Sequence, residues 1–93
     1  MILSEEELTD IQSYAGACMT KAEICLIMQF DLKIFESELQ DIDSNVYKAY
    51  QSGFLLTKYD VQKKIIDLAK AGSSPAQTQA LGMIKDIEIS SYE

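Results

Sequence analysis

Two cysteines and fifteen carboxylates supply much of the reactive chemistry available to this sequence of 93 residues. Histidine, arginine and tryptophan are absent, so the chain lacks the commonest general base and the bidentate phosphate clamp. No glycine-rich phosphate loop, nucleophile elbow or metal-ligand spacing occurs. The carboxylate pairs fall on predicted solvent-facing turns, where we expect ordinary acidity rather than acidity tuned for proton transfer. The sequence therefore predicts a protein that is not an enzyme and that binds no cofactor.

Cys18 and Cys25 lie in or beside predicted helices, and we interpret both as small buried apolar residues. A disulfide is the alternative, but the acidic N-terminus does not resemble a signal peptide and indicates no oxidising compartment. Two thiols seven residues apart, with no histidine, cannot complete a four-ligand zinc shell, so no metal site is expected. No apolar run approaches the ~20 residues of a membrane span. We expect a cytoplasmic protein without membrane contact.

The charge is unevenly distributed along the chain. Residues 1–43 contain ten acidic residues and two lysines, a net charge of −8. Residues 44–93 contain five acidic residues and six lysines, a net charge of +1, which gives −7 for the whole chain. An acidic first half predicts that this part of the chain repels polyanions such as nucleic acid.

Five helices can be assigned, and most have an explicit start signal. Residues 4–7 and 20–23 each form a capping box, in which a hydroxyl and a glutamate three residues later satisfy free backbone groups. Asp31 is placed to cap a third helix, over residues 32–40, which faces inward through Ile34, Phe35 and Leu39. The second helix is expected to face inward through Ile24, Cys25, Ile27 and Met28.

From Ser44 an apolar stripe at spacings of three and four predicts one long helix to Ala71, with Gly53 as the point where a kink is most expected. Gly72 suits the C-terminal cap of that helix. Ser74, with Pro75 after it and Gln77 at the capping-box position, starts a fifth helix that packs back on the fourth. Residues 87–90 alternate in polarity, so they are either the frayed end of this helix or a strand added to a partner.

The predicted fold is all-α, with a three-helix, helix-turn-helix-like head over residues 1–43 followed by a long antiparallel helical hairpin over residues 44–93. In the helix-turn-helix interpretation, Ile24 and Cys25 pack under the second helix of the motif and Phe35 locks it in place. Gln29 occupies the position in the turn where a glycine would adopt the required backbone conformation more readily. An ordinary three-helix core without a DNA-binding role is the alternative.

After the head, Ala49 and Tyr50 are followed by Gly53, and at the end of the long helix Ala69 is followed by Gly72. These short motifs, together with the order of the helices, resemble the small terminase subunits of tailed bacteriophages. The resemblance implies a non-catalytic DNA-packaging subunit that assembles into a homo-oligomeric ring through the hairpin. It also implies that the head engages double-stranded DNA, and that the subunit regulates a large ATPase–nuclease motor protein.

The candidate DNA-binding and oligomerisation residues follow from this interpretation. The head alone cannot supply the ~6–10 phosphate contacts of a well-bound site, so only weak DNA binding is expected. The residues predicted to contact DNA are Lys33, Ser37 and Gln40 on the third helix and Lys63 and Lys64 on the hairpin. Those predicted to be shared between subunits are Ala49, Tyr50, Gly53, Phe54, Val61 and Ile65.

Two other functions fit the same helices. An acidic adaptor or structural assembly protein would use them only for contacts with other proteins. An acidic transcriptional regulator with a degenerate helix-turn-helix would be expected to form a dimer, whereas a packaging subunit would form a ring of many copies.

Overall fold

A computed structural model describes residues 1–91, and this part of the chain folds into five α-helices without a strand. The helices are α1 (Glu5–Gly16), α2 (Lys21–Met28), α3 (Leu32–Leu39), α4 (Asn45–Lys70) and α5 (Ser74–Ser91). The predicted all-α class is confirmed, and residues 87–90 continue α5 as helix. Among the described residues, no helix combines the length and apolar character that crossing a membrane would require.

The chain divides into two compact units within α4. The first unit, which we call the head unit, is Met1–Thr57, and the second, the hairpin unit, begins at Lys58. The predicted boundary between residues 43 and 44 lies inside the head unit. The head unit therefore contains α1, α2, α3 and the first half of α4.

Side-chain caps start the three short helices, as their sequence signals predict. Ser4 Oγ accepts from the Glu7 backbone N–H at 3.1 Å, and Thr20 Oγ1 accepts from that of Glu23 at 3.2 Å. In turn, the Glu7 carboxylate accepts from the Ser4 backbone N–H at 3.0 Å, and the Glu23 carboxylate accepts from that of Thr20 at 2.8 Å. Asp31 Oδ1 accepts from the Ile34 N–H at 3.1 Å. Each such cap stabilises its helix by ~1 kcal/mol.

The first two helices end in left-handed residues that are not glycine. Cys18 has a φ of 62° and Gln29 a φ of 60°. The Cys18 N–H donates to the Ala15 carbonyl at 3.0 Å, and the Met19 N–H donates to the Tyr14 carbonyl at 3.2 Å. These two bonds form a Schellman cap at the end of α1. In this position Cys18 is exposed rather than buried as predicted, whereas Cys25 is buried and both thiols are free.

The core of the head unit is built around Phe35. Its ring is fully buried and lies 6.0 Å from the ring of Phe30 and 6.3 Å, edge on, from that of Tyr50. The other buried members are Ile11, Ala15, Ile24, Cys25, Val46 and Ala49. Two residues that the sequence predicts to face inward, Ile27 and Ile34, are instead about half exposed.

Glu38 joins the end of α3 to the start of α4. One carboxylate oxygen accepts from the Met1 amino group at 2.9 Å, and the other accepts from Ser44 Oγ at 2.8 Å. The buried Ser44 hydroxyl also accepts from the Val46 backbone N–H, so it caps α4. The bonds from the Met1 ammonium and then from Ser44 hold the pKa of Glu38 below its usual 4.5. Glu38 therefore stabilises the helix junction as a carboxylate.

The hairpin unit is held at its turn by backbone caps and one side-chain bond. Gly72 has a φ of 105°, and the Ser73 N–H bonds to the Leu68 carbonyl at 3.0 Å, which closes the end of α4. Ser73 Oγ, not that of Ser74 as predicted, accepts from the Ala76 N–H at the start of α5. Gln77 Nε2 donates to the Ala69 carbonyl at 3.1 Å, across the turn rather than within a capping box.

A glycine at position 29 should stabilise the protein. A left-handed conformation costs a residue with a side chain ~1–2 kcal/mol, and glycine avoids that penalty. We expect Gln29→Gly to raise the free energy of unfolding by about 1 kcal/mol in urea denaturation. The matched control Gln51→Gly, in the interior of α4, should lower it by a similar amount. A loss of stability in Gln29→Gly would contradict the left-handed conformation.

The Glu38 contribution to stability should disappear in acid. A carboxyl whose pKa is lowered on folding stabilises the protein fully above its unfolded pKa, here 4.5. That stabilisation is lost as the pH falls through the lower, folded pKa. We expect the wild type to exceed Glu38→Gln in unfolding free energy at pH 7, with the difference shrinking below pH 4.5. Glu36→Gln, on the same helix, gives the background of losing one charge, and equal pH profiles for both variants would refute the role of Glu38.

Candidate assembly and nucleic-acid-binding surfaces

Gly53 is the point of closest approach between α4 and α1 in the head unit. A Cβ atom placed on Gly53 would collide with the backbone carbonyl oxygen of Gln12, and would lie 2.9 Å from its carbonyl carbon. A Cβ on Gly16 would lie 3.1 Å from Thr57 Oγ1, which donates to the Gly16 carbonyl at 2.6 Å. The sequence predicts that Gly53 is shared between subunits, whereas the backbone that lies against it belongs to the same chain.

The residues predicted to be shared between subunits therefore occupy two different environments. Ala49 and Gly53 are buried within the head unit, so a second copy has no direct access to them. Tyr50 is half-buried against Phe35. The exposed members are Phe54 and Val61, at 43% and 55%, and Ile65 is half-buried. Only the later part of the predicted interface is open to a partner.

The hairpin unit leaves large apolar side chains of α5 exposed, although the sequence predicts that this helix packs back on the fourth. Ile84 is 47% exposed and Leu81 is 63% exposed. Between residues 58 and 90, Ala76 and Ala80 are the only buried side chains. The other exposed large apolar residues of this unit are Tyr59, Val61, Leu68, Ile87 and Ile89.

Two grooves lie between α4 and α5 in the hairpin unit. The larger, of about 560 Å³, includes Lys58 and Gln62 on α4 and Met83 on α5. The smaller, of about 390 Å³, lies nearer the turn. Ile66 and Ile84 line both grooves. Their positions depend on how α5 is rotated against α4, which the apolar spacing of either helix alone does not specify.

The predicted DNA-binding residues of α3 share one exposed face. Lys33, Ser37 and Gln40 follow each other at spacings of four and three, and all three are exposed. The exposed carboxylates of Asp31, which caps this helix, and of Glu36 outnumber the one exposed ammonium group, that of Lys33. This balance opposes contact with phosphates.

The two predicted DNA-binding residues of α4 lie in the hairpin unit. Lys63 and Lys64 are both exposed. Lys63 Nζ lies 3.6 Å from a carboxylate oxygen of Asp67 one turn later, with both side chains more than half exposed. Surface pairs of this kind contribute little and are screened by salt, so Lys63 remains available to another anion.

The described residues contain no arrangement suited to metal binding. No group of three or more histidine, cysteine, aspartate or glutamate side chains in residues 1–91 is placed to hold a metal ion. Burial raises the pKa of the Cys25 thiol, and the carboxylates of Glu36 and Asp31 raise it further. Cys25 therefore remains a protonated core residue and a poor nucleophile.

Comparisons of the chain with protein-family models, curated proteins and solved structures found no match. The resemblance to small terminases thus rests on the short motifs around Tyr50, Gly53 and Gly72.

Adding a methyl group at position 53 should destabilise the head unit. Gly53→Ala gains up to ~1 kcal/mol from helix propensity. Its Cβ must, however, displace the backbone of Gln12, which cannot move without moving α1. We expect a net loss of about 2 kcal/mol in the free energy of unfolding, measured by urea denaturation. Gly82→Ala is the matched control, because a Cβ there meets nothing within 4 Å, and it should gain ~1 kcal/mol. Equal gains in both variants would contradict the close contact.

Proposed function

We propose that this chain is a non-catalytic assembly subunit of the small-terminase type. In this proposal, copies associate through the hairpin unit into a homo-oligomer, with a closed ring as the expected form. The assembly contacts double-stranded DNA weakly and regulates a large ATPase–nuclease motor protein in the host-cell cytoplasm. No cofactor and no catalytic residue takes part.

The exposed apolar surface of the hairpin unit is the observation that carries this proposal. A fully buried leucine or isoleucine contributes ~1.5–3 kcal/mol, whereas Leu81 and Ile84 remain largely in water and only alanines are buried beside them. Two helices alone cannot cover their own apolar faces in this arrangement. Burial against other copies supplies the missing contacts.

Charge favours the hairpin unit over the head unit as the place where copies meet. Residues 58–91 carry five lysines and four acidic residues, so two copies of this surface repel each other little. Residues 1–43 carry a net charge of −8, and two such surfaces repel each other. Association through the hairpin unit brings apolar residues together without bringing the most acidic regions into contact.

DNA contact in this proposal depends on assembly. Lys63 and Lys64 repeat in every copy, so a ring presents many weak phosphate contacts whose effects combine. Lys33 adds one contact per head, but the neighbouring carboxylates of α3 oppose it. Arginine, the usual bidentate partner of guanine, is absent, so binding is expected to be insensitive to base sequence.

A second candidate function is an adaptor that makes only protein contacts. It is favoured by the surface of α3, where Leu32 and Ile34 flank Lys33 and are 40% and 53% exposed. Apolar side chains at these positions suit a protein partner better than a phosphate backbone.

The assembly can be tested by measuring the mass of the full chain at tens of micromolar. Native mass spectrometry and light scattering should show an oligomer of many copies for the wild type. Leu81→Ser/Ile84→Ser, the hairpin variant, should shift the population to smaller species because it removes exposed apolar contacts. Leu26→Ser/Ile34→Ser, the turn variant, makes the same two exchanges at exposed positions of the head unit and should leave the mass unchanged. A stable wild-type monomer would contradict the proposal.

The same preparations serve for a DNA mobility-shift assay at about 50 mM salt, where phosphate contacts are weakly screened. The assembled wild type should retard duplex DNA, and Lys63→Glu/Lys64→Glu should abolish the shift. Lys33→Glu is expected to weaken it less. An assembled wild type that leaves DNA unshifted at high micromolar concentration would favour the adaptor.

A further inference from the structure

The first three residues precede α1 and lie against the junction of α3 and α4. The Met1 side chain is 11% exposed and Leu3 is half-buried against the core, whereas Ile2 between them is fully exposed. We call Met1–Leu3 the strap. Together with Leu8 of α1 and residues at the junction, among them Glu38, Ser44 and Val46, the strap lines a small cavity of about 240 Å³.

The ammonium group of Met1 ties the strap to the junction. It donates to one carboxylate oxygen of Glu38 at 2.9 Å, and the other oxygen of Glu38 accepts from Ser44 Oγ at 2.8 Å. Ser44 Oγ in turn accepts from the Val46 backbone N–H at 3.1 Å. Three consecutive hydrogen bonds therefore connect the strap to the first turn of α4, with Glu38 of α3 as the group that both ends share.

The contact with Glu38 requires a free amino group on Met1. An ammonium group is charged and has three N–H donors, whereas an amide nitrogen is neutral and has one. Hydrogen bonds between two charged groups are roughly twice as strong as those between neutral groups. Any acyl group on the Met1 nitrogen, whether an acetyl group, a formyl group or a residue that precedes Met1, therefore weakens the bond to Glu38.

We propose that the Met1 amino group is a modification site, where acylation releases the strap from Glu38 and opens the cavity at the α3–α4 junction. In this step the uncharged amine attacks the carbonyl carbon of an acyl thioester. A C–N bond forms, the C–S bond breaks, and the thiol and one proton leave. The amide that results carries no charge, so Glu38 loses its cation, and Met1 and Leu3 lose the bond that holds them in place. The strap belongs to the head unit, so this inference does not depend on assembly through the hairpin unit.

The test compares the full chain with a free and with an acetylated Met1 amino group. Residues 1–17 are synthesised in both forms and ligated to residues 18–93 through the native Cys18. Acetylation should lower the melting temperature by a few degrees, as the loss of one partly exposed ion pair does in a domain of this size. Hydrogen exchange of the Val46 amide should become several-fold faster, because the Ser44 cap loses its fixed neighbour. The pKa of Glu38, followed by NMR, should rise toward its usual 4.5, since the bond from the Met1 ammonium is the largest cause of its lowering.

A chain methylated on the Met1 nitrogen is the matched control. Its secondary ammonium keeps the charge and two N–H donors, so it should behave as the free chain does. In a Glu38→Gln background the ion pair is already broken, and acetylation should change neither the melting temperature nor the exchange of the Val46 amide. Equal melting temperatures and equal Val46 exchange in the free and acetylated chains would overturn the proposal. Equal losses in the methylated and acetylated chains would assign the effect to bulk, and an undiminished effect of acetylation in Glu38→Gln would assign it to another contact. Either result would also overturn the proposal.

Discussion

The head unit depends on the absence of a side chain at position 53. Because Gly53 has no Cβ, the backbone of Gln12 can lie directly against α4, and the helices approach closely enough for Thr57 to bond to the Gly16 carbonyl. Ile11 and Ala15 of α1 then share a core with Val46 and Ala49 of α4. A glycine in a helix interior costs ~1 kcal/mol relative to alanine, and the burial of these apolar residues offsets that cost. The first half of α4 thereby becomes part of the head unit.

Local chemistry made much of the secondary structure predictable. The caps at Ser4, Thr20 and Asp31 depend on a side chain and a backbone group three residues later, so the sequence contains all that is needed to locate them. The cap of α5 was misplaced by one residue because Ser73 and Ser74 are both suitable. The burial of individual residues was less predictable. Ile27 and Ile34 were expected to be inside, but periodicity identifies an apolar face without showing whether another element covers it.

The candidate surfaces were predictable to the extent that they follow from helix geometry. The spacing of Lys33, Ser37 and Gln40 places them on one face of α3, and the structure finds all three exposed. Gly53 was expected to lie between subunits but lies against α1 of the same chain, because a small residue does not reveal which backbone approaches it. The grooves around Ile66 and Ile84 were missed for a related reason: they arise from the pairing of two helices and from neither helix alone.

The bond between Thr57 and the Gly16 carbonyl joins groups 41 residues apart, and it has a consequence for the kinetics of folding. The caps of α1, α2 and α3 each involve residues that are near neighbours in sequence, so these helices can form early and locally. Docking α1 on α4 instead requires a loop of about 40 residues to close. Closing this loop lowers the conformational entropy of the chain before the core contacts that compensate for the loss have formed. The head unit should therefore fold at a rate limited by this loop closure, because it joins the two parts of the core that lie farthest apart in sequence.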